Sequence, residues 1–232
     1  MRLASLARAA CAIAVVGVFV IGASSSGAFE ENTFGQEDRV LFELAKMGKR
    51  GTTIARARES VLTVLQDEGG CSEWFQEANP DAIEIFRSLH YEIVEHGNPN
   101  TVHQHDGYGA EFWKNPWAAM SFELSGRSST IRLNANGAFF KGISPVVDLG
   151  PPRWLQAPTG HRALRVASFT GDTAQAQITI LLHELAHVIG RIPEDTDSWD
   201  GRSGENTNAV LRHCRQEIRA ISKERDKSRE SD

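Results

Sequence analysis

The chemistry in this chain is concentrated in one string, Ile180-Leu181-Leu182-His183-Glu184-Leu185-Ala186-His187-Val188-Ile189-Gly190. His183 and His187 stand four apart, so on a helix both imidazoles project from one face and reach one metal ion. Glu184 follows the first of them, about 100° further round the helix. From there its carboxylate can touch a metal-bound water without itself binding the metal. Zinc held by neutral imidazoles lowers the pKa of such a water towards about 7. A carboxylate beside it then takes the proton as the water attacks a carbonyl and passes it to the leaving amine. The string therefore predicts a zinc centre with His183 and His187 as ligands and Glu184 as general base.

A catalytic zinc needs a third protein ligand and keeps a position for water. Asp195 lies on the loop that leaves Gly190 and is the candidate favoured here. Glu205 competes with it from the first turn of the next helix, where an acid also suits the helix dipole. Asp197 and Asp200 are less constrained loop acids.

The segment from Leu181 to Gly190 resembles the helix of the zincin metallopeptidases. The resemblance covers that helix alone and implies a zincin-like fold in which the His183/His187 helix lies beneath a strand that holds peptide substrate. It also implies zinc, with Glu184 in the role of general base. In one branch of that family the third ligand is a histidine six residues after the second. Here that position is Pro193, so that variant does not apply. Another branch places a glutamate near the spacing of Glu205, 18 residues after His187. The wider pattern through Ile192-Pro193-Glu194-Asp195 to Asn206-Thr207 and Cys214 resembles a group of uncharacterised exported bacterial proteins, which brings no function with it.

Other polar clusters carry less. His103-Gln104-His105-Asp106 forms a Gly-bounded His/Asp run, a second metal site or, more ordinarily, a solvated turn. Tyr108 and His161 are donors of the type that steadies an oxyanion, without supporting spacing. His213 adjoins Cys214, which falls on an apolar helix face. Trp74, Trp113, Trp117, Trp154 and Trp199 either line a groove or pack. Arg50, Arg56 and Arg58 read as a solvated helix face.

The elements that must position the site follow from periodicity. Residues 37–66 read as helix, broken over 48–53. Asn79-Pro80 opens a helix whose apolar residues Ile83, Phe86, Leu89, Ile93 and Val94 recur at helical spacing up to Gly97. From 98 to 171 Gly, Pro and Asn are frequent, and 130–133, 138–140 and 162–169 read as strands. Residues 172–189 return to helix, capped by Asp172 and stopped by Gly190. A last helix over 205–223 puts Val210, Cys214, Ile218 and Ile221 on one face, with a fraying tail beyond. The expected class is α+β, helix-rich, with a small mostly antiparallel sheet over the metal-binding helix.

Composition bounds the rest. The chain has 232 residues, 41% of them hydrophobic, and a formal charge of −5. Residues 1–28 carry Arg2 and Arg8, no acid, an apolar run over 9–23 and a small-residue end at Ser26-Gly27-Ala28. That run is too short for a comfortable membrane span and reads as a secretory signal cleaved near Ala28. Its loss makes the charge two units more negative, which argues against nucleic acid as a partner. The expected location is secreted or periplasmic, without a stable membrane span in the mature chain. Cys11 leaves with the signal, and Cys71 and Cys214 remain as an even pair for a disulfide. The organisation expected is a signal over 1–28, a helical region over 29–97 and a zincin-like metal-binding region over 98–232, the last two packed as one domain. The functional expectation is zinc-dependent hydrolysis of a peptide or protein substrate. Its rival is a non-enzymatic exported protein with a structural or vestigial metal site, closed by a fourth ligand such as Asp197.

Overall fold

Gly48, in the left-handed region at φ 60°, turns the chain sharply between two helices, α1 (Gln36–Lys46) and α2 (Gly48–Gln66). The break is narrower than expected. Gly51 stays helical because α1 crosses α2 there, and a Cβ would collide with the Leu44 carbonyl. The structure, a computed structural model, describes residues 35–105, 111–148, 158–195 and 201–230. The expected signal with Cys11, and the candidates Asp106, Tyr108, Trp154, Asp197, Trp199 and Asp200, lie outside the described residues.

Helix α3 (Gly70–Ala78) follows, and Asn79 accepts from the Asp81 backbone N–H at 2.9 Å as α4 (Ala82–Arg87) begins. That helix does not continue to Gly97. The Ser88 hydroxyl donates back to the Ile85 carbonyl at 2.7 Å, and Arg58 donates to the Arg87 carbonyl at 3.0 Å. The chain then enters β1 (His90–Val94), where Tyr91 is buried and the β-branched Ile93 and Val94 suit a pleated surface. Arg58, read above as solvated, is buried and also meets Glu37 at 3.2 Å.

The remaining strands are β2 (Thr101–His105), β3 (Glu111–Lys114), β4 (Ala119–Met120), β5 (Thr130–Asn134), β6 (Ile143–Asp148), β7 (Pro158–Ala163), β8 (Arg165–Val166) and β9 (Phe169–Thr170). They form three small sheets, ordered β1-β5-β4, β3-β2-β6-β7 and β8-β9. β1 pairs parallel with β5 and β2 parallel with β6, while the other pairs are antiparallel. The fold is thus mixed α+β, with strands divided among sheets instead of gathered in one. Residues 138–140 are turn, not strand: Phe140 and Lys141 N–H groups donate back to the Gly137 carbonyl.

Helix α5 (Ala174–Val188) is the centre of the molecule, with every residue from Ala176 to Val188 buried. Thr173, not Asp172, caps it: the Thr173 hydroxyl accepts from the Ala176 N–H at 3.3 Å. Asp172 lies in the turn before it at φ 58°. Helix α2 covers α5, as do β4, β8, β9 and the last helix, α6 (Arg202–Glu230). α6 runs past Lys223, where a frayed tail was expected. Its apolar stripe holds Val210, Cys214 and Ile218 fully buried, with Ile221 partly so.

Cys71 and Cys214 form a disulfide that ties α3 to α6 across 143 residues of sequence. Loop-entropy arguments put the stabilising ceiling of such a bridge at roughly 5 kcal/mol. Among the described residues no helix is long and apolar enough to cross a membrane.

Candidate metal centre

The last two turns of α5 carry His183 and His187, and the turn after them brings Asp195 back to the same spot. Gly190 makes this return possible. At φ 70° it occupies the left-handed position after the helix, and the Arg191 N–H closes on the Ala186 carbonyl at 2.8 Å. Asp195 Oδ2 then lies 3.1 Å from His183 Nε2, and Oδ1 lies 3.5 Å from His187 Nε2. The two Nε2 atoms are 2.9 Å apart.

These spacings suit one small cation. Donor atoms about 2.0–2.2 Å from a tetrahedral zinc sit about 3.3–3.6 Å from one another. One observed edge falls in that range and two fall just below it, so a bound ion would spread the cluster by tenths of an ångström. His183 Nε2 and Asp195 Oδ2 also meet at 3.1 Å, a contact that a shared cation or proton satisfies. His183, His187 and Asp195 are the metal-capable group among the described residues. Two imidazoles and a carboxylate suit several divalent metals, zinc among them.

Helix α6 supports the cluster from its first turns. The Thr207 hydroxyl donates to the Ser203 carbonyl at 2.8 Å and lies 3.2 Å from His183 Nδ1. The buried Asn206 amide donates to Asp195 Oδ1 at 2.7 Å and to the Pro193 carbonyl at 2.8 Å. Burial raises the Asp195 carboxyl pKa, but hydrogen bonds from His183, His187 and Ser203 outweigh it and hold the group well below the usual carboxylate range. For His187, burial disfavours the charged ring. The Asp195 hydrogen bond and the Glu184 charge overcome that, leaving its pKa raised. Nδ1 of His187 is buried, and the Ile192 backbone beside it lies outside hydrogen-bond geometry.

Glu184 is buried beside the cluster, and Ser121 lies 2.8 Å from its Oε2 and 3.1 Å from its own backbone carbonyl. Burial raises the Glu184 pKa against the opposing pull of His183, the Ser121 hydrogen bond and His187. Glu184, His187 and Asp195 open onto a cavity of about 180 Å³. Its other side is the strap that continues β4, with Ser121 and Phe122, together with Arg132 and Glu194.

Several sequence candidates fall elsewhere. Glu205, the rival third ligand, is exposed in the first turn of α6 and outside the cluster. His103 stacks on Trp113 with ring centroids 3.9 Å apart, and Arg162 covers Trp113 at 4.2 Å. That group belongs to the β3-β2-β6-β7 sheet and not to the metal cluster. His105 lies in β2, its side chain outside the description. His161 is exposed on β7, and His213 is stacked on Trp74 at 5.1 Å. Trp74, Trp113 and Trp117 do not line the cavity.

Ser121 escaped sequence reading because only sheet register places it over Glu184. Asn206 and Thr207 had a usable signal. The buried stripe Ile218–Cys214–Val210, extended back by one helical turn, lands on polar residues, and a polar residue at a core position points to a site. No known protein family, curated protein or solved structure matches the chain.

Proposed function

We propose that the chain is an exported, zincin-like, zinc-dependent peptide hydrolase in which His183, His187 and Asp195 hold the metal and Glu184 is the general base. The observation that carries this reading is the placement of Glu184. It lines one open cavity together with two of the three ligands, His187 and Asp195. A purely structural metal favours a closed ligand set, so the open cavity supports turnover over the structural alternative.

Zinc, when bound, supplies a Lewis acid for the substrate carbonyl and an acidified water. Glu184 accepts the proton of the attacking water and returns it to the leaving amine. Ser121 holds Oε2 of that carboxylate, which orients Oε1 for the transfer. Strand β4 supplies a place for the substrate. It is the edge of its sheet, with Met120 opposite Arg132 and the Asn134 N–H donating to the Ala118 carbonyl at 3.1 Å. Antiparallel alternation then turns the N–H and C=O of Ala119 and Ser121 to the open edge. An extended peptide paired there lies along the cavity. The disulfide supports an oxidising compartment, and with it export and removal of residues 1–28.

The test is metal analysis with a mixed peptide library. Glu184→Gln is expected to keep near-stoichiometric zinc and to lose hydrolysis by about 10²–10⁴-fold. His187→Ala is expected to lose the metal. Full activity of Glu184→Gln, or stoichiometric zinc in His187→Ala, contradicts the assignment.

A further inference from the structure

The strap that continues β4 presents large apolar side chains to solvent at the mouth of the cavity. Met120 is 39% exposed and Phe122 71%, and both line the cavity. The Met120 thioether meets the Arg132 guanidinium at 3.9 Å, while other groups hold the strap itself. Backbone N–H groups do that, with Leu124 donating to the His187 carbonyl at 3.0 Å and Gly126 to the Val188 carbonyl at 3.3 Å. Ser121 adds its contact to the Glu184 carbonyl. The rim is therefore fixed in place while its apolar groups stay outside the core.

Ser121 turns its hydroxyl to Glu184, while Met120 and Phe122 present an exposed apolar face beside it on the same cavity. A peptide paired to the open edge of β4 brings every second side chain against that face. Charge narrows which side chain fits. Arg132 stands opposite Met120, but its guanidinium already meets Glu92 at 3.2 Å, so its stem adds apolar surface more than free charge. Glu194 lines the cavity, and its N–H is held by Glu123 Oε2 at 3.1 Å. An acidic side chain on the peptide would meet the Glu194 charge.

We infer that Met120 and Phe122 form a specificity lip that selects extended peptides carrying a bulky apolar residue beside the cleaved bond and disfavours acidic ones. This rests on the peptide-hydrolase reading and deepens it, and the test separates the two. Zinc-loaded full-chain Glu184→Gln is titrated with blocked Ala/Ser nonapeptides in which Phe, Asp or Lys is walked through the central positions. One register of Phe is expected to bind at least about tenfold more tightly than the parent peptide, the factor for burying one large apolar side chain. Asp in that register is expected to bind more weakly than the parent. Adding Phe122→Ser is expected to bring the Phe gain within about twofold of the parent, with zinc affinity and Tm unchanged. The lip is overturned if no register of Phe gains, if no peptide binds, if Lys outranks Phe, or if the gain survives both Phe122→Ser and Met120→Ser. Selective binding by a wild-type protein that never cleaves would leave the lip standing and sink the hydrolase reading.

Discussion

The Thr207 hydroxyl lies 3.2 Å from His183 Nδ1, the ring nitrogen on the other side from the one that meets Asp195. Its single hydrogen goes to the Ser203 carbonyl at 2.8 Å, so towards His183 it can act only as acceptor. An acceptor at that position favours a proton on Nδ1, the arrangement in which Nε2 is the nitrogen offered to a metal beside Asp195 and His187. A side chain on the next helix thus favours the tautomer that a metal requires.

Thr207→Val keeps the shape of the side chain and removes the acceptor. It is expected to weaken zinc binding about 10–100-fold, as loss of such a partner commonly does. Thr207→Ser is expected to restore most of it, because the hydroxyl returns. Competition titration with a chromophoric chelator reads both. Equal affinity of the Val and wild-type proteins would remove the tautomer argument.

Asn206 acts on the other ligand. Both hydrogens of its amide are used, one on Asp195 and one on the Pro193 carbonyl, so it fixes the carboxylate and the loop that carries it. Asn206→Asp replaces two donors by a charge facing Asp195. The expected result is weaker zinc binding than in Asn206→Ala, with a low-salt penalty larger than the high-salt one. If the two variants bind zinc equally well, the amide does not position Asp195.

The metal helix was legible in the sequence because its chemistry is local: four residues of spacing put both imidazoles on one face. The choice between Asp195 and Glu205 was not, since both are acids at plausible distances. The left-handed turn at Gly190 folds the chain back within a few residues and sets Asp195, not Glu205, beside the two imidazoles. The stretch from Leu89 to Val94 has helical periodicity, and His90–Val94 is nevertheless a strand. Arg58, some 30 residues earlier, occupies the carbonyl at the end of α4, and β5 offers a pairing edge. Both partners are remote in sequence, so no local pattern contains them. Ser121 is hidden for the same reason.

Proton and metal compete at His187. Without metal its pKa is raised above the ordinary value of about 6.5, chiefly because Asp195 and Glu184 outweigh the cost of burial. The ring must be neutral to bind zinc. Zinc affinity is therefore expected to be full above the raised value and to fall about tenfold per pH unit below it, one proton being displaced. The metal-free protein should show the opposite sign. The stability that the raised pKa contributes is fully present below about 6.5 and is lost as pH rises through the folded value. Titration calorimetry in buffers of different ionisation enthalpy counts the proton released. A pH-independent affinity between 5 and 8 would contradict the contact between His187 and the two carboxylates.

The disulfide and the metal site share α6, with Cys214 two turns beyond Thr207, yet they stabilise in different ways. The Cys71–Cys214 bridge restricts the unfolded chain across 143 residues, so its removal acts mainly on the unfolded state. Cys71→Ala/Cys214→Ala is expected to cost about 2–5 kcal/mol in chemical unfolding of the metal-free protein. The contacts of Thr207 and Asn206 belong to the folded state and stay in place when the bridge is absent. Zinc affinity of the folded double variant is therefore expected to change by less than about threefold. A loss of affinity as large as that of Thr207→Val, measured where the variant is folded by circular dichroism, would mean that the bridge holds the first turns of α6 against His183. The bridge would then be part of the metal site, and reduction would release the metal from a chain that remains folded.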